Sequence, residues 1–361
     1  MEKKEIDDHK LDWHPERLKQ WMENGDCPPV YFEIGLTNIC NHECIFCGFD
    51  YARGRDSLET NSLIKTVGEM GEYGVKSILY AGAGEPFLHK DFSLIIRKTK
   101  EAGIDVAFST NTVLFNKNNA EQTLPHTSWI RFSLDAATPK THSYIHHTSE
   151  KDFPRILKNL EEAVRVKQNN KYDTILGVQF LLLEENASEV FKLAEICKNL
   201  GVDMLQVKPY SKHPPSNNAV KVNYNNFPGL EERLQEFSTR DFKVIFRTKR
   251  IEELSLQKEY PICLSLSFWG MINERGDVIP CDLFYNLSDS SYGNIYANNF
   301  SEIWDGEKRK KVLNQIKNNG TKYCKEGCRG DLINKYLWSV KEKRCEIKEP
   351  IGKYPKHINF I

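Results

Sequence analysis

The stretch Asn38-Ile-Cys-Asn-His-Glu-Cys-Ile-Phe-Cys47 follows a short apolar run and places its cysteines in a CxxxCxxC spacing. A loop with this spacing can turn the thiolates of Cys40, Cys44 and Cys47 toward one point. Three thiolates suit a cubane iron–sulfur cluster better than zinc, because a structural zinc site takes a fourth protein ligand. The loop therefore predicts a cluster with one open iron. A zinc knuckle or three unrelated buried thiols are the alternatives.

The same spacing, with the aromatic Phe46 directly before the last cysteine, resembles that of the radical S-adenosylmethionine (SAM) enzymes. The resemblance implies a 4Fe–4S cluster whose open iron binds the amino and carboxylate groups of SAM. It also implies that an electron from the cluster cleaves SAM to a 5'-deoxyadenosyl radical, which abstracts hydrogen from the substrate. Phe46 is then expected to pack near the adenine.

Short apolar runs alternate with amphipathic segments up to Lys208, which predicts six strands separated by helices. Such alternation favours parallel pairing with right-handed crossovers, and six units are too few to close an eight-stranded barrel. The expected fold is α/β, a partial (β/α)6 TIM-like barrel, and the radical SAM resemblance implies the same. The predicted strands are 31–36, 76–80, 105–109, 129–134, 174–182 and 203–207, and the predicted helices are 62–73, 92–102, 116–124, 152–167 and 187–200.

Three regions divide the chain. Residues 1–30 contain a short docking helix, 31–250 form the barrel, and 251–361 form a small cysteine-rich α+β domain. Prolines and asparagines after the sixth strand mark a linker or lid, followed by a helix near 228–237 and a basic strand at 243–249.

Polar residues at the strand ends are candidates for holding SAM. Gly82 and Gly84 let backbone approach a ligand, and Glu85 offers a carboxylate to an ammonium. This turn resembles the glycine-glycine-glutamate motif of radical SAM enzymes, although Ala83 separates the glycines, and an ordinary tight turn is the alternative. Because parallel strands present their carboxyl ends at one mouth, the polar residues on the later strands are expected to face the same ligand. These residues are Asn111, Ser133, Asp135 and Gln179.

Each of these assignments has a structural alternative, which for Ser133 and Asp135 is helix capping. Asn111 serves equally well as a helix cap, and Gln179 as a satisfied polar residue of the core. The Ser133-Leu-Asp135 pattern resembles the ribose-binding strand of the family.

A second cysteine set follows residue 260, with the pattern C-x(12)-G-x(4)-C and then CxxxC. Four thiolates can enclose a cluster completely, and a tetra-cysteine zinc ribbon is the alternative. The pattern resembles the SPASM and twitch extensions of radical SAM enzymes. Part of the seven-cysteine form is absent, so the shorter twitch form with one auxiliary 4Fe–4S cluster fits better. The residues assigned to it are Cys263, Cys281, Cys324 and Cys328.

Three further side chains are candidates for chemistry. Cys345 is left over and is predicted to donate a hydrogen atom to a substrate radical, to replace Cys324 as a ligand, or to be inert. Lys208 and His213 are candidate proton acceptors in an alcohol oxidation whose electron passes to the auxiliary cluster. A surface lysine and a loop histidine are the ordinary alternatives.

Composition agrees with an intracellular enzyme. The 361 residues include 50 basic and 50 acidic side chains, so no overall field attracts nucleic acid or an anionic membrane. The N-terminal residues lack the apolar core of a signal peptide, and a cytoplasmic location is expected. Ten cysteines in a reducing compartment are better explained by metal than by disulfides.

The resemblance leaves the substrate open. Only 30 residues precede the first strand, which leaves no room for a leader-peptide domain and favours a sugar-like or polyol substrate, with oxidation or epimerisation as the outcome. A peptide or protein maturase is the first alternative, and a non-enzymatic iron–sulfur or zinc protein is the second. A reductant such as flavodoxin or ferredoxin is the expected protein partner.

Overall fold

The computed structural model describes residues 9–218, 220–254, 258–347 and 356–361. Ten strands form one sheet in the order β10-β9-β8-β1-β2-β3-β4-β5-β6-β7. Their bounds are β1 Tyr31–Ile34, β2 Ser77–Tyr80, β3 Asp105–Thr110, β4 Trp129–Ser133, β5 Ile175–Leu182, β6 Met204–Pro209, β7 Lys243–Phe246, β8 Trp269–Ile272, β9 Asp277–Ile279 and β10 Gly293–Asn294. Strands β1 to β7 pair in parallel with their sequence neighbours.

Helices cover the outer face of this sheet. Those that follow β1 to β7 are α2 Thr60–Tyr73, α3 Phe92–Glu101, α4 Lys117–Thr123, α5 Pro139–His146, α6 Asp152–Asn170, α7 Val190–Leu200, α8 Leu230–Gln235 and α9 Thr248–Glu253, with α1 Pro15–Asn24 before β1. Local signals explain their ends. For example, Glu59 accepts hydrogen bonds from the first free amides of α2, and Gly74 ends that helix in the left-handed conformation.

The α/β partial barrel predicted from the sequence is confirmed, and all six predicted strands form within two residues of their expected bounds. Two features differ from the prediction. The basic strand predicted at 243–249 forms as β7 but joins the barrel sheet as a seventh parallel strand beside β6, and helix α5 stands between β4 and α6. Helix α5 was missed because its buried face carries His142 and His146 beside a single apolar residue, Ile145, so it lacks the apolar periodicity of a core helix.

The C-terminal segment continues the barrel sheet. Strand β8 pairs in parallel with β1, from Tyr31 opposite Trp269 to Ile34 opposite Ile272. Antiparallel β9 and β10 extend the edge, followed by helices α10 Phe300–Trp304, α11 Glu307–Asn319 and α12 Asp331–Lys341. The sheet therefore crosses the boundary expected at residue 250, and the division into three regions stays an interpretation.

Both chain ends pack against this framework. Helix α1 buries Leu18 and Trp21 in a cluster with Phe268 and Leu337, so it docks on the C-terminal segment. At the amino ends of the strands, the Phe360 ring lies 5.3 Å from that of Trp129, and Asn359 Nδ2 donates to Asp105 Oδ2 at 2.7 Å. The last residues thus close the bottom of the barrel. Within the described ranges, every helix is too short or too polar to traverse a lipid bilayer.

Candidate active site

A cavity of ≈ 620 Å³ runs through the barrel, from the loops at the carboxyl ends of the strands down to Trp129 and Phe360. Small residues on the inward faces leave this space open, among them Ala81 and Gly177. Cysteines from both predicted sets line it, because the cysteine loop follows β1 and the C-terminal segment packs beside the same strand. These cysteines are Cys40, Cys44, Cys47 and Cys328.

The three cysteines of the first loop share one electrostatic environment. Burial raises the pKa of Cys40 to about 11 and that of Cys44 well above its ordinary value, and the neighbouring thiols, Cys47 among them, add to both shifts. The ten cysteines, all within the described residues, form no disulfide. Thiolates gathered in such a place need positive charge beside them, which the iron of a cluster supplies. The donor set therefore fits an iron–sulfur cluster.

Backbone hydrogen bonds fix this loop to helix α5. Glu43 N donates to His146 O at 3.0 Å, and Ile45 N donates to Ile145 O at 2.9 Å. The start of the loop is held by Asn38, whose Oδ1 accepts from Asp56 N at 2.8 Å. The loop geometry thus depends on a helix that the sequence pattern did not reveal.

Helix α5 also builds a buried cluster of three imidazoles. The ring centroids of His142 and His146 are 4.4 Å apart, and those of His42 and His146 are 5.2 Å apart. Burial lowers the pKa of all three, that of His142 to about 4, so the rings are neutral at pH 7. Ligand atoms of His42, Cys44 and His146 lie within 4.8 Å of one another, a spacing that suits a metal ion. This set shares Cys44 with the cysteine loop, so it does not form an independent site.

The glycines after β2 meet protein rather than open space. A Cβ on Gly84 would lie 2.4 Å from Ile39 O and 2.5 Å from Thr37 O, and one on Gly82 would lie 2.7 Å from Gly35 Cα. Both positions therefore need glycine so that this turn can pack against the start of the cysteine loop. Both also line the cavity, and their contact with a ligand stays a prediction.

Glu85 is a buried carboxyl at the cavity wall. It accepts hydrogen bonds from Thr110 Oγ1 at 2.7 Å, Asn111 N at 2.7 Å and Phe87 N at 3.2 Å. Burial raises its pKa to about 7 despite these donors. An ammonium group placed beside it would favour the ionised form.

The other residues predicted to hold SAM also line the cavity, namely Phe46, Asn111, Ser133, Asp135 and Gln179. Asn111 Nδ2 donates to Asn41 Oδ1 at 2.7 Å, and Asn116 rather than Asn111 caps α4. Among the described residues, no group bonds the buried Gln179 Oε1. Asp135 accepts from Leu181 N at 2.5 Å, and its Oδ2 lies 3.4 Å from His146 Nε2. Burial raises the Asp135 pKa to about 7.

The second cysteine set converges as well. The Cys263 thiol raises the pKa of Cys324, Cys328 and Cys281, in each case after the larger effect of burial. The values reach about 11 for Cys324 and about 12 for Cys328. Asn334 Nδ2 lies 3.4 Å from Cys263 Sγ and can donate to it. Four thiols brought together this way fit a fully ligated cluster.

The three remaining predicted residues, Lys208, His213 and Cys345, lie in different places relative to the cavity. Lys208 lines the cavity, and burial, together with the charges of Arg131 and Arg247, lowers its pKa to about 7. His213 is buried with its ring 5.7 Å from that of Tyr51 and lies outside the cavity lining. Cys345 is exposed after α12, outside both that lining and the four-thiol set. Its role as a hydrogen-atom donor stays a prediction.

The sequence interpretation missed the charged residues deeper in the barrel. Arg131 lies on β4 between Trp129 and Ser133, all three of which line the cavity. The alternation of side chains along β4 could have revealed Arg131, because it places this charged residue on the same inward face as Ser133. Arg329 and Glu33 form an ion pair with each other, but they come from distant parts of the chain, so no local sequence pattern indicates their contact.

Residues 34–203 match the radical SAM superfamily, and residues 263–329 match the SPASM iron–sulfur cluster-binding domain. The chain therefore contains a radical SAM domain followed by a SPASM domain. Accordingly, the radical SAM domain binds a 4Fe–4S cluster and SAM, and the SPASM domain binds auxiliary iron–sulfur clusters. The SPASM match contains the four cysteines of the second set and ends before Cys345.

Among curated proteins, a probable GTP 3',8-cyclase of Saccharolobus islandicus is 30% identical over 176 residues, covering 48% of this chain and 54% of that protein. The probable GTP 3',8-cyclase of Methanococcus vannielii is 27% identical over 195 residues, covering 50% and 61%. The chain thus spans little more than half the length of the curated relatives it matches.

Among solved structures, Streptococcus suis SuiB bound to S-adenosylmethionine superposes with a TM-score of 0.65 at 16% identity, covering 84% of this chain and 71% of that one. Native anSMEcpe with bound AdoMet and the Kp18Cys peptide gives a TM-score of 0.57 at 17% identity, covering 80% and 84%. At these identities, the likeness is one of fold.

Proposed function

We propose that this protein is a radical SAM oxidoreductase that removes hydrogen from a small sugar-like or polyol substrate inside the barrel. One observation carries this proposal: residues of both cysteine sets and the amine of Lys208 line the same cavity of ≈ 620 Å³. A space of this size suits a small molecule beside a cofactor.

Residues at the mouth would hold the cofactor. Cys40, Cys44 and Cys47 would ligate the first cluster, and Glu85 would accept hydrogen bonds from the ammonium of SAM. Phe46 would pack on the adenine, with Asn111, Ser133 and Gln179 offering polar contacts to the ribose. Contact between Asp135 and the ribose is a further part of this proposal.

When bound, SAM and the first cluster supply a radical that abstracts a hydrogen atom, and the auxiliary cluster supplies a one-electron acceptor. Oxidation of a secondary alcohol also releases the hydroxyl proton. We assign that proton to Nζ of Lys208, which is partly neutral at pH 7 because burial lowers its pKa to about 7.

The test uses the anaerobically reconstituted protein, reduced with dithionite and given SAM together with a panel of polyols, sugars and aminocyclitols. We expect 5'-deoxyadenosine only with a matching substrate, one SAM consumed per ketone formed, and deuterium transfer from a labelled carbinol carbon into 5'-deoxyadenosine. The Cys44→Ala variant is the control and should form none.

Other results would redirect the proposal. Solvent deuterium in an otherwise unchanged product would indicate epimerisation. Cleavage of SAM stimulated only by peptides would indicate a maturase. The absence of 5'-deoxyadenosine under every condition would refute radical SAM activity in this chain.

A further inference from the structure

The barrel cavity is richer in basic than in acidic groups. Seven cationic side chains line it against four carboxyl groups, although the whole chain is balanced at 50 basic and 50 acidic residues. Burial leaves three of these groups partly neutral, because it raises the pKa of Glu85 and Asp135 to about 7 and lowers that of Lys208 to about 7. The cationic residues are Lys10, Arg131, Lys208, Arg247, Arg250, Lys325 and Arg329.

Several of these cations already have a carboxylate partner. Arg329 Nη2 lies 2.8 Å from Glu33 Oε1, and Lys325 pairs with Asp282. The Arg329–Glu33 pair holds the C-terminal segment to β1, whereas the Lys325–Asp282 pair lies within that segment, and both leave little charge available for a ligand.

Arg131 differs from them. Its Nε donates to Ser109 Oγ at 3.1 Å, and among the described residues no carboxylate oxygen lies within 4.0 Å of its guanidinium. Burial lowers its pKa, and the nearby charge of Arg329 adds to the shift, yet an arginine side chain stays charged in proteins. The Glu33 carboxylate offsets part of this shift but is itself paired with Arg329, so a ligand of opposite charge beside Arg131 would lower the cost of placing its charge here.

The surroundings leave room for that ligand. Arg131 lines the cavity of ≈ 620 Å³ opposite Gly177 on β5, where the side chain of Met204 packs over the glycine. With Nε engaged by Ser109, the two Nη groups remain as a planar donor pair that matches a carboxylate or phosphate.

The position of Arg131 in the barrel also suits substrate binding. Gly177 stands opposite Met204, and Lys208 lies four residues further along β6 toward the mouth. Four residues of strand correspond to about 13 Å. A sugar-sized molecule held at Arg131 by one end would therefore present its other end between Lys208 and the residues assigned to SAM.

We propose that Arg131 anchors an anionic group of the substrate, a phosphate or a carboxylate, at the inner end of the cavity. This inference rests on the proposed function, because it names the chemical class of the molecule that is oxidised. The substrate is thus an anionic sugar or polyol derivative rather than a neutral one.

The test measures binding by calorimetry on the anaerobic reconstituted protein and needs no turnover. The probes are glucose 6-phosphate, glucuronate and neutral glucose. We expect the wild type to bind one of the anions more tightly than glucose, and Arg131→Gln to weaken that binding about ten- to a hundredfold. The preferred anion decides between a phosphate and a carboxylate.

Two controls keep the result specific. Arg165→Gln removes the same charge from the surface of α6, where Arg165 pairs with Glu161 and Glu162, and should leave binding unchanged. Arg131→Lys keeps the charge without the planar donor pair, so it should bind with intermediate affinity, and it replaces the glutamine variant if that variant fails to fold.

The outcome is distinguishable from failure of the proposed function. Equal anion affinity in wild type and Arg131→Gln, or no anion binding by the wild type, would overturn the anchor. Weaker SAM binding in Arg131→Gln would assign the arginine to the carboxylate of SAM and would also overturn it. Anion binding that depends on Arg131 in a protein that forms no 5'-deoxyadenosine would uphold the anchor and reject the oxidation.

Discussion

His146 Nδ1 lies 3.0 Å from Sγ of Cys44, the middle cysteine of the CxxxCxxC loop. The backbone of His146 also accepts a hydrogen bond from Glu43, so helix α5 grips the loop through both main chain and side chain. On its other side, Nε2 of the ring lies 3.4 Å from Asp135 Oδ2 and makes no hydrogen bond within the described residues. A cluster thiolate is an acceptor, so the arrangement is suited to an N–H···S hydrogen bond from His146 to Cys44.

This contact predicts an effect on the reduction potential of the first cluster. A hydrogen bond to a ligating sulfur stabilises the reduced, more negative cluster, so His146→Phe should lower the potential. If the bond contributes about 1–2 kcal/mol, the shift is on the order of 40–90 mV for a one-electron couple. Redox titration followed by electron paramagnetic resonance measures it.

His142→Phe is the matched control for that experiment, because His142 packs against His146 and makes no hydrogen bond to Cys44 among the described contacts. Its potential should stay near that of the wild type. Equal shifts in both variants would show a general packing effect and would contradict the role assigned to His146.

The histidines of α5 also show where sequence reasoning reached its limit. The parallel strands were predictable, because a strand such as β5 is buried on both faces and therefore has a nearly continuous apolar sequence. Helix α5 was not, because polar imidazoles occupy its buried face. The pairing of β8 with β1 joins distant segments and leaves no local signal.

The candidate site divides in the same way. The CxxxCxxC spacing alone identifies Cys40, Cys44 and Cys47 as candidate cluster ligands, so one sequence is enough to find them. The proposed role of Arg131 depends on what surrounds it, and only the assembled barrel shows that its Nε donates to Ser109 and that it stands opposite Gly177 in the cavity wall.

Lys208 should give the oxidation a characteristic dependence on pH. Its amine accepts a proton only when neutral, and burial lowers its pKa to about 7, so the rate of product formation should rise as pH increases through about 7. Lys208→Met should reduce the rate about 10²- to 10⁴-fold and remove this rise. Product and 5'-deoxyadenosine, quantified in parallel, separate lost oxidation from lost SAM cleavage.

A matched substitution on the surface tests whether the pH profile belongs to Lys208. Lys98→Met on α3 removes an exposed amine paired with Glu101 and should leave the profile unchanged. If Lys208→Met keeps the wild-type rise near pH 7, another group accepts the proton.

Gly84 should be intolerant of a side chain. Its Cβ would lie 2.4 Å from Ile39 O, and backbone oxygens of two residues leave it no room to move. Gly84→Ala should therefore lower the free energy of unfolding by about 2–4 kcal/mol and reduce iron incorporation, because the strain falls on the start of the cysteine loop. Chemical denaturation and iron analysis measure the two effects.

Gly68 provides the contrasting control within helix α2. A Cβ there meets nothing within 4 Å, so Gly68→Ala should raise the free energy of unfolding by about 0.5–1 kcal/mol. A Gly84→Ala protein as stable as the wild type would show that the turn relaxes without strain.

Cys328 and Cys345 should behave differently when each is removed. Cys328 belongs to the half-buried four-thiol set and lines the cavity, whereas Cys345 is exposed and lies apart from both. Cys328→Ser should therefore lose about four of about eight irons per chain and stop alcohol oxidation, while the first cluster still cleaves SAM. Cys345→Ala should keep its full iron content and its rate of oxidation. Iron analysis and Mössbauer spectroscopy distinguish these results, and loss of product in Cys345→Ala at full iron content would instead support a hydrogen-atom donor and an epimerase.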